Sequence, residues 1–267
     1  MEALYKKPVL TVVKIGGNVI DSEPDLEQFL ESFAALEGAT ILVHGGGKLA
    51  TQLAEQMNLP QQMIDGRRIT DEATLKVVTM VYAGYINKQI TAKLQARGCN
   101  AIGLCGVDGN LVQAHKRRNA AYDYGFAGDV DTINTALVHR LLDNGQCLVI
   151  APITHDKQGQ LLNTNADTIA REMAQAMSAL YETQLIYCFE KDGVMRDVAD
   201  ASSVIPVLPK GDVATLVAQG VIAGGMIPKI HNAVAALEKG VTKIIIGKSD
   251  LLPQLVTGSS GTTIVHV

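Results

Sequence analysis

Two short apolar runs each break off into glycines with charge beside them, and no other feature restricts the fold of this chain as tightly. Val9 to Val13 leads into Lys14, Ile15, Gly16 and Gly17, and Ile41 to Val43 leads into His44, Gly45, Gly46, Gly47 and Lys48. Unbroken apolar runs of this length suit strands buried on both faces of a parallel sheet. In an open sheet of that kind ligands sit beyond the carboxyl ends of the strands, where glycines let backbone N–H groups approach an anion. The chain therefore reads first as a phosphate handler.

The same pattern continues along the chain. Strand-like runs at Cys147 to Ala151, Leu185 to Phe189, Lys243 to Ile246 and Thr262 to Val267 are interleaved with helical patterns. Those helices are expected from Asp25, from Lys48, from the Asn163-Thr164-Asn165-Ala166-Asp167 run to about Leu180, from Asp212 to Gln219 and from Lys229 to Lys239. Such alternation implies crossover units and a mainly parallel sheet. A long helix is expected between a Thr70 cap and Gly98, with Asp71 and Glu72 in its first turn and Lys93 and Arg97 in its last. Leu75, Val78, Tyr82, Tyr85 and Leu94 form its apolar stripe. Gly84 inside it costs about 1 kcal/mol relative to alanine. Close crossing by a second copy's helix would compensate, and a merely tolerated glycine explains it equally well. The segment 101–130, with Asp108-Gly109-Asn110 and Gly125 to Asp129 as turn signals, is expected to form a hairpin-rich flap at the sheet margin.

Composition bounds the function class. A chain of 267 residues with 47% apolar and 19% charged residues can bury a large core, read here as one continuous unit of two lobes that part near Ser178 to Tyr181. The start carries Lys6 and Lys7 without a following apolar signal segment, and no run is long enough to span a bilayer, so a soluble cytoplasmic protein is expected. A net charge of −4 with no basic stripe disfavours nucleic acid as a partner. Cys99, Cys105, Cys147 and Cys188 form no C-x-x-C pair, so neither a disulfide framework nor a zinc site is indicated.

Four places are equipped for chemistry. Lys14, a charge straight after a buried apolar strand and beside Gly16 and Gly17, suits bound phosphate oxygens. The His44 to Lys48 turn matches neither the Walker loop nor G-x-G-x-x-G, and His44 has no second ligand at metal spacing. Asn163, Asn165 and Asp167 are either helix-capping residues or a polar row presented to a ligand. Gly224-Gly225-Met226-Ile227-Pro228-Lys229 opens a helix and makes Lys229 either a surface lysine or a second working cation.

Taken in order, Lys14-Ile15-Gly16-Gly17, His44-Gly45-Gly46-Gly47, Gly66-Arg67-Arg68-Ile69-Thr70, Asn163-Thr164-Asn165-Ala166-Asp167 and Gly224 to Lys229 resemble the acetylglutamate kinases of the amino acid kinase family. The resemblance covers nearly the whole chain. It implies a three-layer αβα sandwich with a mainly parallel central sheet, an N-terminal lobe (1–178) for the acylated glutamate and the dimer contact, and a C-terminal lobe (179–267) for ATP. It implies ATP-dependent phosphorylation of the side-chain carboxylate of N-acetyl-L-glutamate, in arginine biosynthesis. Under it, Lys14 and Lys229 stabilise the transferring phosphoryl group and Asp167 holds both ammonium groups. Gly46, Gly47, Arg68, Asn163 and Asn165 bind the acylated amino acid, Arg68 through its α-carboxylate. Gly16, Gly17, Glu190, Asp192, Gly193, Gly224, Gly225 and Met226 contact the nucleotide, and Ala223 stands where the family commonly has threonine.

The resemblance also implies that Mg2+ rides on the ATP phosphates, and no protein metal ligand is assigned. Because few residues precede the first strand, a homodimer insensitive to arginine is expected. Two alternatives stay open: N-succinyl-L-glutamate as acceptor, whose extra carboxylate would want an extra cation such as Arg67, and a non-catalytic sensor of ATP or an acyl amino acid.

Overall fold

The computed structural model describes residues 6–64, 67–118, 121–197, 199–224 and 226–266. The chain begins with β1 (Val9–Ile15), α1 (Gly17–Asp21), α2 (Glu23–Ala34), β2 (Ala39–His44) and α3 (Gly47–Gln56). A small hairpin, β3 (Met63–Ile64) and β4 (Arg67–Arg68), leads into α4 (Glu72–Thr79), a π-helical stretch (Met80–Ile86) and α5 (Asn87–Gln95). Next come β5 (Ala101–Cys105), β6 (Val112–Lys116), β7 (Ala127–Ile133), α6 (Thr135–Asp143), β8 (Cys147–Ala151), β9 (Ile153–His155), β10 (Leu161–Thr164) and α7 (Ala166–Met177). The last part holds β11 (Glu182–Phe189), β12 (Val207–Pro209), α8 (Val213–Ala218), α9 (Met226–Glu238), β13 (Lys243–Lys248), α10 (Leu252–Thr257) and β14 (Thr262–Val265).

An eight-stranded sheet in the order β12-β14-β13-β11-β1-β2-β8-β5 forms the middle layer. Every neighbouring pair in it is parallel except β13 with β14. Its two faces bury separate clusters. Leu10 and Val12 of β1 face Ile169, Met173 and Met177 of α7 and Ile230, Ala233 and Leu237 of α9. Val13 and Ile15 face Phe29 and Phe33 of α2 and Ile86 and Ile90 of the long helix. Alternate residues of one strand thus serve opposite helical layers, and the αβα sandwich implied by the resemblance is the observed fold. The order β11-β1-β2 puts β1 in the middle with crossovers leaving on both sides, the arrangement that opens a crevice at the strand ends.

Several local expectations are corrected. β5 belongs to the edge of the main sheet, whereas β6, β7, β9 and β10 close into a small barrel beside it, so the expected flap is a barrel that recruits the hairpin around Gly159. The cap of α4 is Asp71, whose carboxylate accepts from the Thr74 amide at 2.7 Å. Thr70 is occupied otherwise, because its backbone bridges to the 124–126 turn. Tyr85 lies 60% exposed rather than in the apolar stripe. The π-helical stretch adds residues to the turn, so Ile86 and Ile90 take the inward positions. Gly84 sits in this stretch with nothing within 4 Å of the place a Cβ would occupy. The short helix α1, between the first glycine pair and α2, had no distinct sequence signal.

Candidate active site

Lys14 lies within β1 rather than after it, on the same side of the strand as Leu10 and Val12. That side is covered by α7, and Asp167 stands in the first turn of α7, so the sheet and helix deliver the two groups to one point. Lys14 Nζ and Asp167 Oδ1 are 2.7 Å apart, with side chains only 14% and 19% exposed. Among the described residues this buried oxygen has no donor other than the Lys14 ammonium. Burial by itself would raise the Asp167 carboxyl, but Lys14, Lys229 and Arg67 outweigh it and hold it below its ordinary range. Asp167 is therefore a buried anion kept ionised by converging cations.

Lys229 reaches the same region from the first turn of α9, its ammonium 4.4 Å from the centre of the Phe189 ring. Burial lowers its proton affinity, Asp167 and Glu190 raise it, Lys14 lowers it further, and the net direction is down. Lys14 and Lys229 thus feel each other as like charges with Asp167 as the shared counter-ion.

Two cavities meet at this pair. The larger, about 980 Å³, runs past Lys14, Gly16, Gly17, Lys48, Glu190, Lys191, Lys229 and Lys248. The smaller, about 210 Å³, is lined by Gly46, Gly47, Arg67, Arg68, Arg117, Asn163, Asn165 and Asp167. Lys14, Gly16, Gly17, Gly47, Met63 and Arg68 border both. The Gly45 amide donates to the Ile15 carbonyl at 3.1 Å, tying the two glycine turns together at the junction.

The glycines have distinct reasons. Gly46 has φ +148°, and a Cβ there would strike Ile86 and come within 3.1 Å of the Tyr82 ring. The turn therefore lies tight against the long helix, and α3 starts directly at the cavity. A Cβ on Gly16 would stand 3.8 Å from the Lys14 ammonium.

Arg68 is 8% exposed and donates to the Gly47 carbonyl at 2.9 Å, to Thr51 Oγ1 at 2.8 Å and to Gln61. Asn163 donates to Thr70 Oγ1 at 3.0 Å. Asn165 caps α7, its side-chain oxygen accepting from the Thr168 amide at 3.0 Å. His44 is fully buried; its Nδ1 lies 2.8 Å from the Gly45 carbonyl and its Nε2 3.2 Å from the Asn87 amide nitrogen. Burial pushes the ring down to about 4, so it is neutral and structural.

Some expected nucleotide residues sit elsewhere. Gly193 is buried where a Cβ would press on Thr262 and Val204, so its smallness serves packing. Asp192 borders a separate cavity of about 380 Å³ with Ser259 and Ser260. Gly224 (φ +54°) and Met226 lead into α9 without lining either main cavity, and Gly225 lies outside the described residues. The reading missed Lys248 and Asp250, an ion pair at 3.0 Å on the rim of the larger cavity. The strand-end rule applied to Ile244 to Gly247 would have found Lys248. It also missed Tyr82 and Arg117, which no local pattern marks.

The model of the amino acid kinase family matches residues 9–248, which includes both glycine turns, Asp167 and Lys229. The chain belongs to the amino acid kinase family. Within the family it is 51% identical over 240 residues to a protein named acetylglutamate kinase from Bacteroides fragilis, covering 90% of this chain and 92% of that one. A protein of the same name from Phocaeicola vulgatus is 49% identical, covering 97% and 99%. Among solved structures, a Giardia carbamate kinase superposes with a TM-score of 0.68 at 12% identity over 98% of this chain and all of that one, a likeness of fold.

Proposed function

We propose that the chain is an ATP-dependent kinase that phosphorylates the side-chain carboxylate of N-acetyl-L-glutamate, giving an acyl phosphate. Relatives named acetylglutamate kinase, about half identical over nearly their whole length, support the substrate. The observation that carries the chemistry is the Lys14–Asp167 ion pair with Lys229 coupled to it, at the junction of two cavities.

ATP fits the larger cavity, whose lysines Lys14, Lys48, Lys191, Lys229 and Lys248 suit a polyphosphate. Mg2+ carried on the phosphates supplies further neutralisation of their charge. The acylglutamate occupies the smaller cavity, with Arg68 exchanging part of its bonds to Gly47, Thr51 and Gln61 for the substrate α-carboxylate. Its side-chain carboxylate then points at the junction. A carboxylate is already ionised near neutral pH, so no general base is required. Phosphoryl transfer through a loose transition state asks for alignment and distributed positive charge, which Lys14 and Lys229 provide while Asp167 keeps them from separating. The site residues therefore divide into the Lys14, Asp167 and Lys229 group, an acceptor group of Gly46, Gly47, Arg68 and Asn163, and a nucleotide group of Gly16, Gly17 and Glu190.

The same reading makes residues 1–178 the acceptor lobe, whose Gly16, Gly17 and Lys48 also border the nucleotide cavity, and 179–267 the nucleotide lobe, and places the enzyme in cytoplasmic arginine biosynthesis. Among the described residues no helix is long and apolar enough to cross a membrane. Met80 and Tyr85, 52% and 60% exposed beside the open face of Gly84, supply a surface for the homodimer. The test is to trap the acyl phosphate with hydroxylamine in the presence of ATP, Mg2+ and N-acetyl-L-glutamate. A ferric-hydroxamate signal dependent on all three is expected. Its absence, with nucleotide still bound, would favour the sensor reading.

A further inference from the structure

We propose that Arg171 is a positioning residue: by holding Asn232 across the seam between α7 and α9, it fixes where the Lys229 ammonium stands relative to Asp167. The inference deepens the kinase reading and rests on it for the role of Lys229.

The groups at the junction are not held equally. Asp167 is fixed twice, by the ion pair with Lys14 and by the buried Tyr187 hydroxyl of β11, which donates to its backbone carbonyl at 3.2 Å. Lys229 has no such tether. Its ammonium rests over the Phe189 ring, while Asp167, Lys14 and Glu190 act on it as charges through space. Among the described residues no hydrogen bond or ion pair ends on it. Its position is therefore set by where α9 lies.

Asp167 and Arg171 stand one turn apart on α7, and Lys229 and Asn232 one turn apart on α9. Arg171 Nη1 donates to Asn232 Oδ1, so this rung lies one turn from the junction. At the far ends Ser178 Oγ donates to the Lys239 carbonyl at 3.2 Å, so the two helices run side by side in the same direction. Between these rungs Gln175, one turn beyond Arg171 on the same face, has a buried amide with no partner among the described residues. The Arg171–Asn232 rung is the polar link nearest the reacting groups.

Arg171 is built for holding rather than for binding substrate, since it lines neither main cavity. Glu172 accepts from its Nε at 3.2 Å and from its Nη2, and both side chains are largely buried. The planar guanidinium is thereby locked with Nη1 aimed at α9, and little freedom is lost in making the bond. With α7 in the acceptor lobe and α9 in the nucleotide lobe, the rung ties the carboxylate of one lobe to the ammonium of the other. A misplacement of about 1 Å there costs up to about 100-fold in rate.

The experiment measures hydroxamate kinetics with N-acetyl-L-glutamate for the unaltered enzyme, Arg171→Met, Arg171→Lys, Asn232→Ala and the double variant Arg171→Met with Asn232→Ala. The pH at which acetic anhydride half-modifies the Lys229 amine, read by mass spectrometry, reports its proton affinity without turnover. Circular dichroism checks folding, and Asn232→Ala carries the test if Arg171→Met does not fold. Each single variant should lower kcat about 10- to 100-fold with acceptor KM within about twofold. The double variant should be no slower than the worse single, and Arg171→Lys should regain part of the loss. Burial is the largest cause holding the proton affinity of Lys229 down, so releasing α9 should move its labelling midpoint up in pH. A folded single variant with kcat within about twofold, losses that multiply in the double variant, or an unmoved midpoint overturns the inference and leaves the kinase standing. No hydroxamate from the unaltered protein, with the midpoint still moved by the variants, sinks the kinase reading and leaves the rung's hold on Lys229 in place.

Discussion

Replacing Asp167 by asparagine keeps the shape of the side chain and removes the charge that both lysines share. At 2.7 Å the attraction between Lys14 and Asp167 is about 6 kcal/mol gross at an effective dielectric of 20. Both side chains are less than one-fifth exposed, so removing one partner leaves a buried, uncompensated ammonium. That loss costs about 3–5 kcal/mol in comparable pairs. For a chain of 267 residues, the lower end of that range corresponds to a fall in melting temperature of about 6–12 °C. The catalytic effect is separable from the stability effect. With the carboxylate gone, Lys14 and Lys229 repel each other and leave the positions a transferring phosphoryl group requires, so kcat should drop about 100- to 1000-fold. The unbalanced positive charge at the junction should leave nucleotide affinity intact or improve it. Steady-state kinetics and nucleotide titration at one temperature, with thermal melts at the same salt concentration, measure all three. An Asp167→Asn enzyme with kcat within about twofold of the unaltered protein would refute the reasoning, as would a kcat loss matched by an equal loss of nucleotide binding.

Lys229 must be protonated to act, and its proton affinity is lowered by burial, so activity should fall on the alkaline side before an ordinary lysine would titrate. Lys229→Arg should move that limb of the kcat profile upward, and an unmoved limb would assign it to another group. Gly46→Ala places a methyl against Ile86 at φ +148°, and strain plus overpacking should cost about 2–5 kcal/mol. Gly47→Ala, whose nearest added contact is 3.8 Å away, should cost far less in a urea titration. His44 is held neutral in the fold, with its proton affinity pushed down to about 4, so the unfolded chain takes up the proton first as pH falls. Its contribution is complete above the unfolded value near 6.5 and is lost down to about pH 4, roughly 3 kcal/mol in all. Urea midpoints at pH 7 and pH 4.5 should converge more for His44→Gln than for the unaltered protein.

The fold was legible because its signals are local. Apolar runs such as Ile41 to Val43 and Leu185 to Phe189 have one use in a chain of this composition, and the glycines after them mark the ligand end of the sheet. Lys14 and Asp167 were each recognisable from their neighbours, one as a charge closing an apolar strand and the other as an acid opening a helix. Boundaries failed where two residues competed for one role. Thr70 and Asp71 are both capping residues, and the bridge to the 124–126 turn removes Thr70 from the contest. Tyr85 and Ile86 are both apolar, and the π-helical turn decides which faces inward.

By itself, then, the sequence determined the alternating layers, the positions of the glycine turns and the residue types able to handle a phosphoryl group, since each depends on neighbours a few positions away. Tertiary structure alone decided who meets whom. Strand alternation puts Lys14 on one face of β1, but only the order β11-β1-β2 and the path of α7 bring Asp167 across that face. Arg67, Arg68 and Arg117 look alike in the sequence; folding gives Asp129 to Arg117 and the Gly47 turn to Arg68, and leaves Arg67 facing the cavity. The physical reason is that pairing is settled by distances across the core, which no local pattern encodes.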